Sequence, residues 1–149
     1  MPQSVARKLI FRVGETGFLL DLDRLVEICE QVAEKIDGNY VDAELGIIGA
    51  LSFRQTQIPV IDPAITLGIE TSCPLVDKRA LVLKGSEGNW ALLVDCVEEI
   101  VSIDKLDSCD IPPLLKPAIA AAYSQMSLFA GEPMVHFELD RFYAFGAPS

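Results

Sequence analysis

Short apolar runs recur along this chain, each closed within a few residues by a glycine turn or a proline. That rhythm constrains the fold more than any single residue does. Runs this short suit strands and leave little room for helices. From Lys8 to Leu22, Leu9, Phe11 and Val13 alternate with Lys8, Ile10 and Arg12. The turn Gly14-Glu15-Thr16-Gly17 follows, and Phe18, Leu19, Leu20 and Leu22 come after it. A period of two around paired glycines predicts a hairpin. Ile58 to Ile61 reads as a strand stopped by Asp62-Pro63, and Arg79 to Lys84 as a buried strand. The latter turns at Gly85–Gly88 and returns over Asn89 to Val94. Val97 to Ile103 is a further strand with a bend. Ser127 to Ala130 and Met134 to Leu139 form a last hairpin around Gly131-Glu132-Pro133.

Other segments are less regular. Asp23 to Ile36 reads two ways. Leu25, Ile28, Cys29, Val32 and Ile36 fall on one helical stripe with Asp23 as N-cap, yet a short apolar run fits a strand equally well. Residues 44–53 are expected to form a short helix, weakened by Gly46 and Gly49. Thr66 to Asp77 and Asp104 to Lys116 read as loops, Ala118 to Tyr123 as a helical turn, and Asp140 as the cap of a closing turn over Arg141 to Phe145. With no repeat or linker, residues 1–149 make one all-β domain with short helices, a sandwich or barrel.

Composition narrows the functional classes. No apolar stretch approaches the roughly 18 uninterrupted residues of a spanning helix. The N-terminal segment, interrupted by Arg12, makes a poor signal peptide, so a cytoplasmic protein without membrane insertion is the expectation. The formal charge is −10, and residues 15–44 hold nine acidic side chains against Arg24 and Lys35. Phosphate backbones need clustered Lys and Arg, so no nucleic acid is expected as a partner. The acidic stretch reads as a solvated surface or as a face for a basic partner. Cysteines 29, 73, 96 and 109 are too far apart for a zinc pattern and are expected to stay reduced.

Catalytic candidates are few. His136 is the only histidine and sits in the alternating run Val135 to Leu139, where an ordinary strand position accounts for it. Glu98 and Glu99 are neighbours on a strand, point to opposite faces and do not share a substrate. No phosphate-loop, dinucleotide or zinc-protease motif occurs. No catalytic residue, cofactor or metal is expected. Trp90 reads as core. Arg54, in a turn between Phe53 and Gln55-Thr56-Gln57, reads either as a buried guanidinium tying loop carbonyls together or as a surface recognition residue.

Several blocks, in order, resemble the CheW family of chemotaxis coupling proteins. Phe11 to Phe18 is similar to the opening hairpin, Leu25-Val26-Glu27-Ile28 to a V-x-E-I strand, and Leu93 to Val97 to an L-V-D-x-V block. Gly49, Arg54 and Pro59-Val60-Ile61-Asp62 resemble the family's glycine, arginine and P-[IV]-[VI]-D positions. Ile111-Pro112-Pro113 occupies the proline loop, and Leu139-Asp140 the tail. The resemblance favours a turn near Asp23 followed by a strand through about Ile28. Gln55 stands where the family has glycine, Pro63 where it has leucine and Glu44 where it has proline, so the chain resembles a divergent member.

The resemblance implies two packed five-stranded SH3-like β-barrels and a non-catalytic adaptor. Its partners would be the cytoplasmic tip of a chemoreceptor (a methyl-accepting chemotaxis protein) and the regulatory domain of the histidine kinase CheA. It would act in the cytoplasm, recruited to receptor arrays. Leu25, Glu27 and Arg54 would fall on the receptor-facing region. Two alternatives are a solitary module of a non-flagellar pathway such as pilus motility, and a small-molecule-binding or enzymatic barrel.

Overall fold

The computed structural model describes residues 6–42, 46–85, 88–109 and 126–137. The first hairpin forms as its alternation predicts. Strand β1 (Arg7–Val13) pairs antiparallel with β2 (Thr16–Asp21), with Leu9 opposite Leu20 and Phe11 opposite Phe18. A single 3-10 turn, Leu22–Arg24, leads into β3 (Leu25–Cys29), so the strand reading of this segment holds and the helical stripe does not. The short β4 (Ile36–Asp37) follows.

Residues expected to be helical form a strand instead: β5 (Ile47–Phe53) pairs with β6 (Thr56–Ile61). Gly49 is the physical reason. A Cβ there would lie 2.5 Å from Ile36 Cγ2 and 2.7 Å from Asp37 O, so the glycine lets β4 pair closely with β5. Asp62 stops β6 as expected and caps α1 (Pro63–Leu67), accepting a hydrogen bond from Ala64 N at 3.0 Å, with Pro63 in the first turn. This helix occupies the start of what the sequence presents as a loop.

The remaining strands are β7 (Arg79–Gly85), β8 (Gly88–Val94), β9 (Cys96–Ser102), β10 (Asp107–Cys109), β11 (Met126–Phe129) and β12 (Glu132–His136). The expected proline loop at 111–113, the helical turn at 118–123 and the closing turn after Asp140 lie outside the described residues.

The described residues form two six-stranded sheets, ordered β10-β11-β12-β2-β1-β9 and β3-β7-β8-β6-β5-β4. The all-β class with short helices stands, and among the described residues each sheet has six strands where five were expected. Among the described residues, hydrogen bonds do not close either sheet into a ring. The short β4 and β10 supply the extra strand at one end of each.

Packing explains the unbroken apolar runs. Leu81, Leu83, Leu92 and Val94 face Leu9, Phe11, Phe18 and Leu20 in a core shared by both sheets. Their neighbours Ala80, Val82, Ala91 and Leu93 point the other way, into a second cluster with Leu51, Phe53, Ile58 and Val60. Strands buried on both faces lose the polar alternation of a half-exposed sheet. Ile10 and Leu19 are likewise buried, against Val101 and Met134, where the alternation had placed Ile10 outside. Trp90 is core, as expected.

Candidate partner-binding surface

Strand β3 ends its sheet and carries Leu25 and Glu27. Arg24 anchors its start, donating from Nε at 3.0 Å and Nη2 at 2.7 Å to Lys84 O. The pairing with β7 slips between Leu25 and Glu27, where Leu25 faces Leu83 and Glu27 faces Val82. In a regular strand these two residues would share a face. The irregularity separates them: Leu25 packs against the shared core and Glu27 stands exposed.

Glu27 lines an open groove with Ile28, Lys35, Arg79 and Val97. Val97 belongs to β9, the end strand of the other sheet, so the groove runs between the two sheets' outermost strands. Its charges are partly matched, with Arg79 Nε 3.2 Å from Glu30 Oε1. The Cys29 thiol donates to Glu27 Oε2 at 3.6 Å, and burial followed by this carboxylate pushes the thiol's pKa up.

Arg54 departs from the buried reading. It is exposed at the tip of the β5–β6 hairpin, with its guanidinium carbon 4.7 Å from the centre of the Phe53 ring. It lines a concavity with Phe53, Gln57, Ile58, Pro59 and Asn89. Arg54 and Glu27 border different grooves, with β7 and β8 between their strands in the sheet order. Leu25 and Arg54 are nearer in register, since both lie toward the β7–β8 turn.

The two turn residues Arg54 and Gln55 have φ of 49° and 67°. A two-residue hairpin loop of this kind favours Asn-Gly or Gly-Gly, because a side chain in the left-handed region is strained. Gln55→Gly is therefore expected to stabilise the fold by about 0.5–1 kcal/mol, seen as a higher urea midpoint at unchanged slope.

Two charged assemblies near the β1–β2 hairpin had weak sequence signals. Arg12 reaches two carboxylates on different strands. Its Nε lies 2.5 Å from Glu98 Oε1 on β9, and its Nη1 and Nη2 lie 2.6 and 2.8 Å from the carboxylate of Glu132 on β12. Between β1 and β12 runs β2, where Gly17 faces Arg12; a Cβ on Gly17 would come within 3.4 Å of Arg12 Nη1. An arginine opposite a glycine was the available clue. Hydrogen bonding to Arg12 holds the Glu132 carboxyl below its usual range, and Glu132 in turn raises Arg12.

The second assembly centres on Asp95, in the L-V-D block, at the corner between β8 and β9. Its carboxylate accepts from Lys78 Nζ at 2.9 Å, Thr71 Oγ1 at 2.5 Å and Gly14 N at 2.7 Å. Gly14 must be glycine here. Its φ is 60°, and a Cβ would lie 2.4 Å from Glu70 O. Asp95 thereby joins the β1–β2 turn, the 69–78 loop and the β8–β9 corner.

His136 is an ordinary strand residue whose Nε2 lies 2.7 Å from Ser127 Oγ on the paired strand. Among the described residues, no group of three His, Cys, Asp or Glu side chains is disposed to hold a metal. No helix among them is long and apolar enough to cross a membrane.

The family model described as "CheW-like domain" matches residues 7–127, most of the chain. The chain belongs to the CheW-like domain family. The CheW-like fold is matched by a solved structure, the scaffolding protein TtCheW from Thermoanaerobacter tengcongensis. Identity is 19% and the TM-score 0.77, over 95% of this chain and 89% of that one. At that identity the likeness speaks to the fold of this CheW-like chain. No curated protein matches it.

Proposed function

We propose that this chain is a non-catalytic adaptor that couples chemoreceptors to the histidine kinase CheA in a chemotaxis-type pathway. The family match over residues 7–127 carries the reading. The site geometry agrees with it: Glu27 and Arg54 are exposed, Leu25 is half-buried, and Glu27 and Arg54 each border a groove. Open grooves and unpaired sheet ends suit docking of a receptor helix tip or a partner barrel. The adaptor would alter kinase output by binding one kinase state more tightly than another. In this reading Leu25, Glu27 and Arg54 face the receptor, and the kinase meets a separate part of the barrel surfaces.

Titration of the purified chain against a receptor cytoplasmic tip and a CheA regulatory domain from the same organism tests the proposal. Arg54→Ala is expected to weaken the receptor tip on the order of tenfold, since exposed arginines seated on aromatic rings are frequent binding anchors. Glu27→Ala is expected to weaken it as well. Saturable kinase binding should survive both changes. Absence of binding to either partner at any accessible concentration would overturn the coupling role and leave a solitary CheW-like module of another pathway.

A further inference from the structure

At the Asp95 corner the fold brings Cys73, distant in sequence, against the backbone that leads into Cys96. Cys73 lies in the loop between α1 and β7, and Cys96 opens β9. Thr71 fixes the loop there: its hydroxyl donates to Asp95 Oδ2 at 2.5 Å and accepts from Cys73 N at 3.2 Å. Cys73 Sγ lies 3.9 Å from the carbonyl oxygen of Asp95, whose carbonyl carbon is bonded to the nitrogen of Cys96. The sulfur therefore rests against the peptide unit that begins Cys96. Both thiols are free and half-buried.

We propose that Cys73 and Cys96 form an intramolecular disulfide when the chain meets a hydroperoxide, stapling the 69–78 loop to the β8–β9 corner. The chemistry balances in two steps. One thiolate attacks the peroxide oxygen, giving a sulfenic acid and releasing water from hydrogen peroxide. The second sulfur then displaces hydroxide from the sulfenic sulfur, which leaves as water. Two thiols and one peroxide become a disulfide and two waters. Disulfides need Cα atoms about 4.4–6.8 Å apart, and the Cys73 sulfur rests at the peptide that opens Cys96.

Burial pushes both thiols up, and the charge on Asp95 raises Cys73 further while that on Glu98 raises Cys96. Oxidation is thus slow at neutral pH and accelerates as pH rises, because the thiolate is the nucleophile. The same loop carries Leu75 and Val76, which are 39% and 65% exposed. The staple fixes this apolar pair against the corner and so gives the surface an oxidised and a reduced form.

Hydrogen peroxide treatment of the full chain, followed by peptide mapping without reduction, tests the proposal. The expected product is a monomer lighter by two hydrogens, with a linked Cys73–Cys96 peptide and a Tm raised on the order of 10 °C, reversed by dithiothreitol. Cys73→Ser and Cys96→Ser should each abolish the mass change and the Tm rise. Pairing through Cys29 or Cys109, intermolecular dimers, or sulfinic acid at both sites would overturn it. The map of the unaltered chain decides the matter even if a serine variant fails to fold, and no signalling partner is required.

Discussion

Asp95→Ala is expected to cost about 3–5 kcal/mol of folding stability, the range for removing one partner of a buried ion pair. Lys78 is 6% exposed and the Asp95 side chain 11%. Without the carboxylate, the Lys78 ammonium stays buried opposite no counter-charge, and Thr71 and Gly14 lose an acceptor. The damage would spread, because the Asp95 carboxylate ties the β1–β2 turn and the 69–78 loop to the β8–β9 corner. Replacing both members, as Lys78→Met with Asp95→Leu, is expected to recover a large part of the loss, since no uncompensated charge remains. Urea unfolding of the single and double variants measures both effects.

The same group sets an acid limit. Burial alone would raise the Asp95 carboxyl, but hydrogen bonds from Thr71, Lys78 and Gly14, with the Lys78 charge, outweigh it and lower the pKa. The folded state therefore binds this proton less readily than the unfolded chain, whose Asp titrates near about 3.9. Asp95's contribution is fully present above that value and is lost as pH falls through the lower folded one. Asp95→Ala should flatten that part of the acid-unfolding curve; an unchanged slope would count against the assignment.

Phe11→Ala is expected to cost a similar amount, about 3–5 kcal/mol, through a cavity in the shared core. Phe11 is 0% exposed. Its ring stacks on Phe18 at 5.2 Å and 13°, and meets Phe137 edge-on at 5.7 Å and 73°. Phe18 and Phe137 also meet edge-on, at 6.1 Å. The trio joins β1, β2 and the residue after β12, where Phe137 N donates to Leu19 O at 2.8 Å. Phe11→Leu keeps much of the apolar area and should cost clearly less. Urea midpoints separate the two, and a loss close to that of Leu for both would mean that the core collapses around the missing ring.

Local pattern was a sound guide where one chemical requirement dominated. The first hairpin follows from alternation around Gly14 and Gly17, the end of β6 from Asp62-Pro63, and the buried strands β7 and β8 from apolar runs between glycines. It failed where packing decided. Gly46 and Gly49 read as a weak helix, yet β5 is a strand, because Gly49 answers to the approach of Ile36 and Asp37. For Arg54 the sequence left an interior and a surface role open, and packing chose the exposed turn, since its apolar neighbour Phe53 alone points into the core. Of the candidate site, Leu25, Glu27 and Arg54 were visible as residues. The irregularity that turns Leu25 inward and Glu27 outward was not, because it depends on the register with β7.

The sequence by itself determined the strand-rich class, the family resemblance and the main turns, since these rest on contacts within a few residues and on side-chain periodicity. Only the tertiary structure decided what holds the sheets together. Arg12 reaches Glu98 and Glu132, and Asp95 gathers Gly14, Thr71 and Lys78, across separations of tens of residues. A charge has no period along the chain. Its partner is chosen by the geometry that brings strands and loops together, and by the cost of leaving it buried without one.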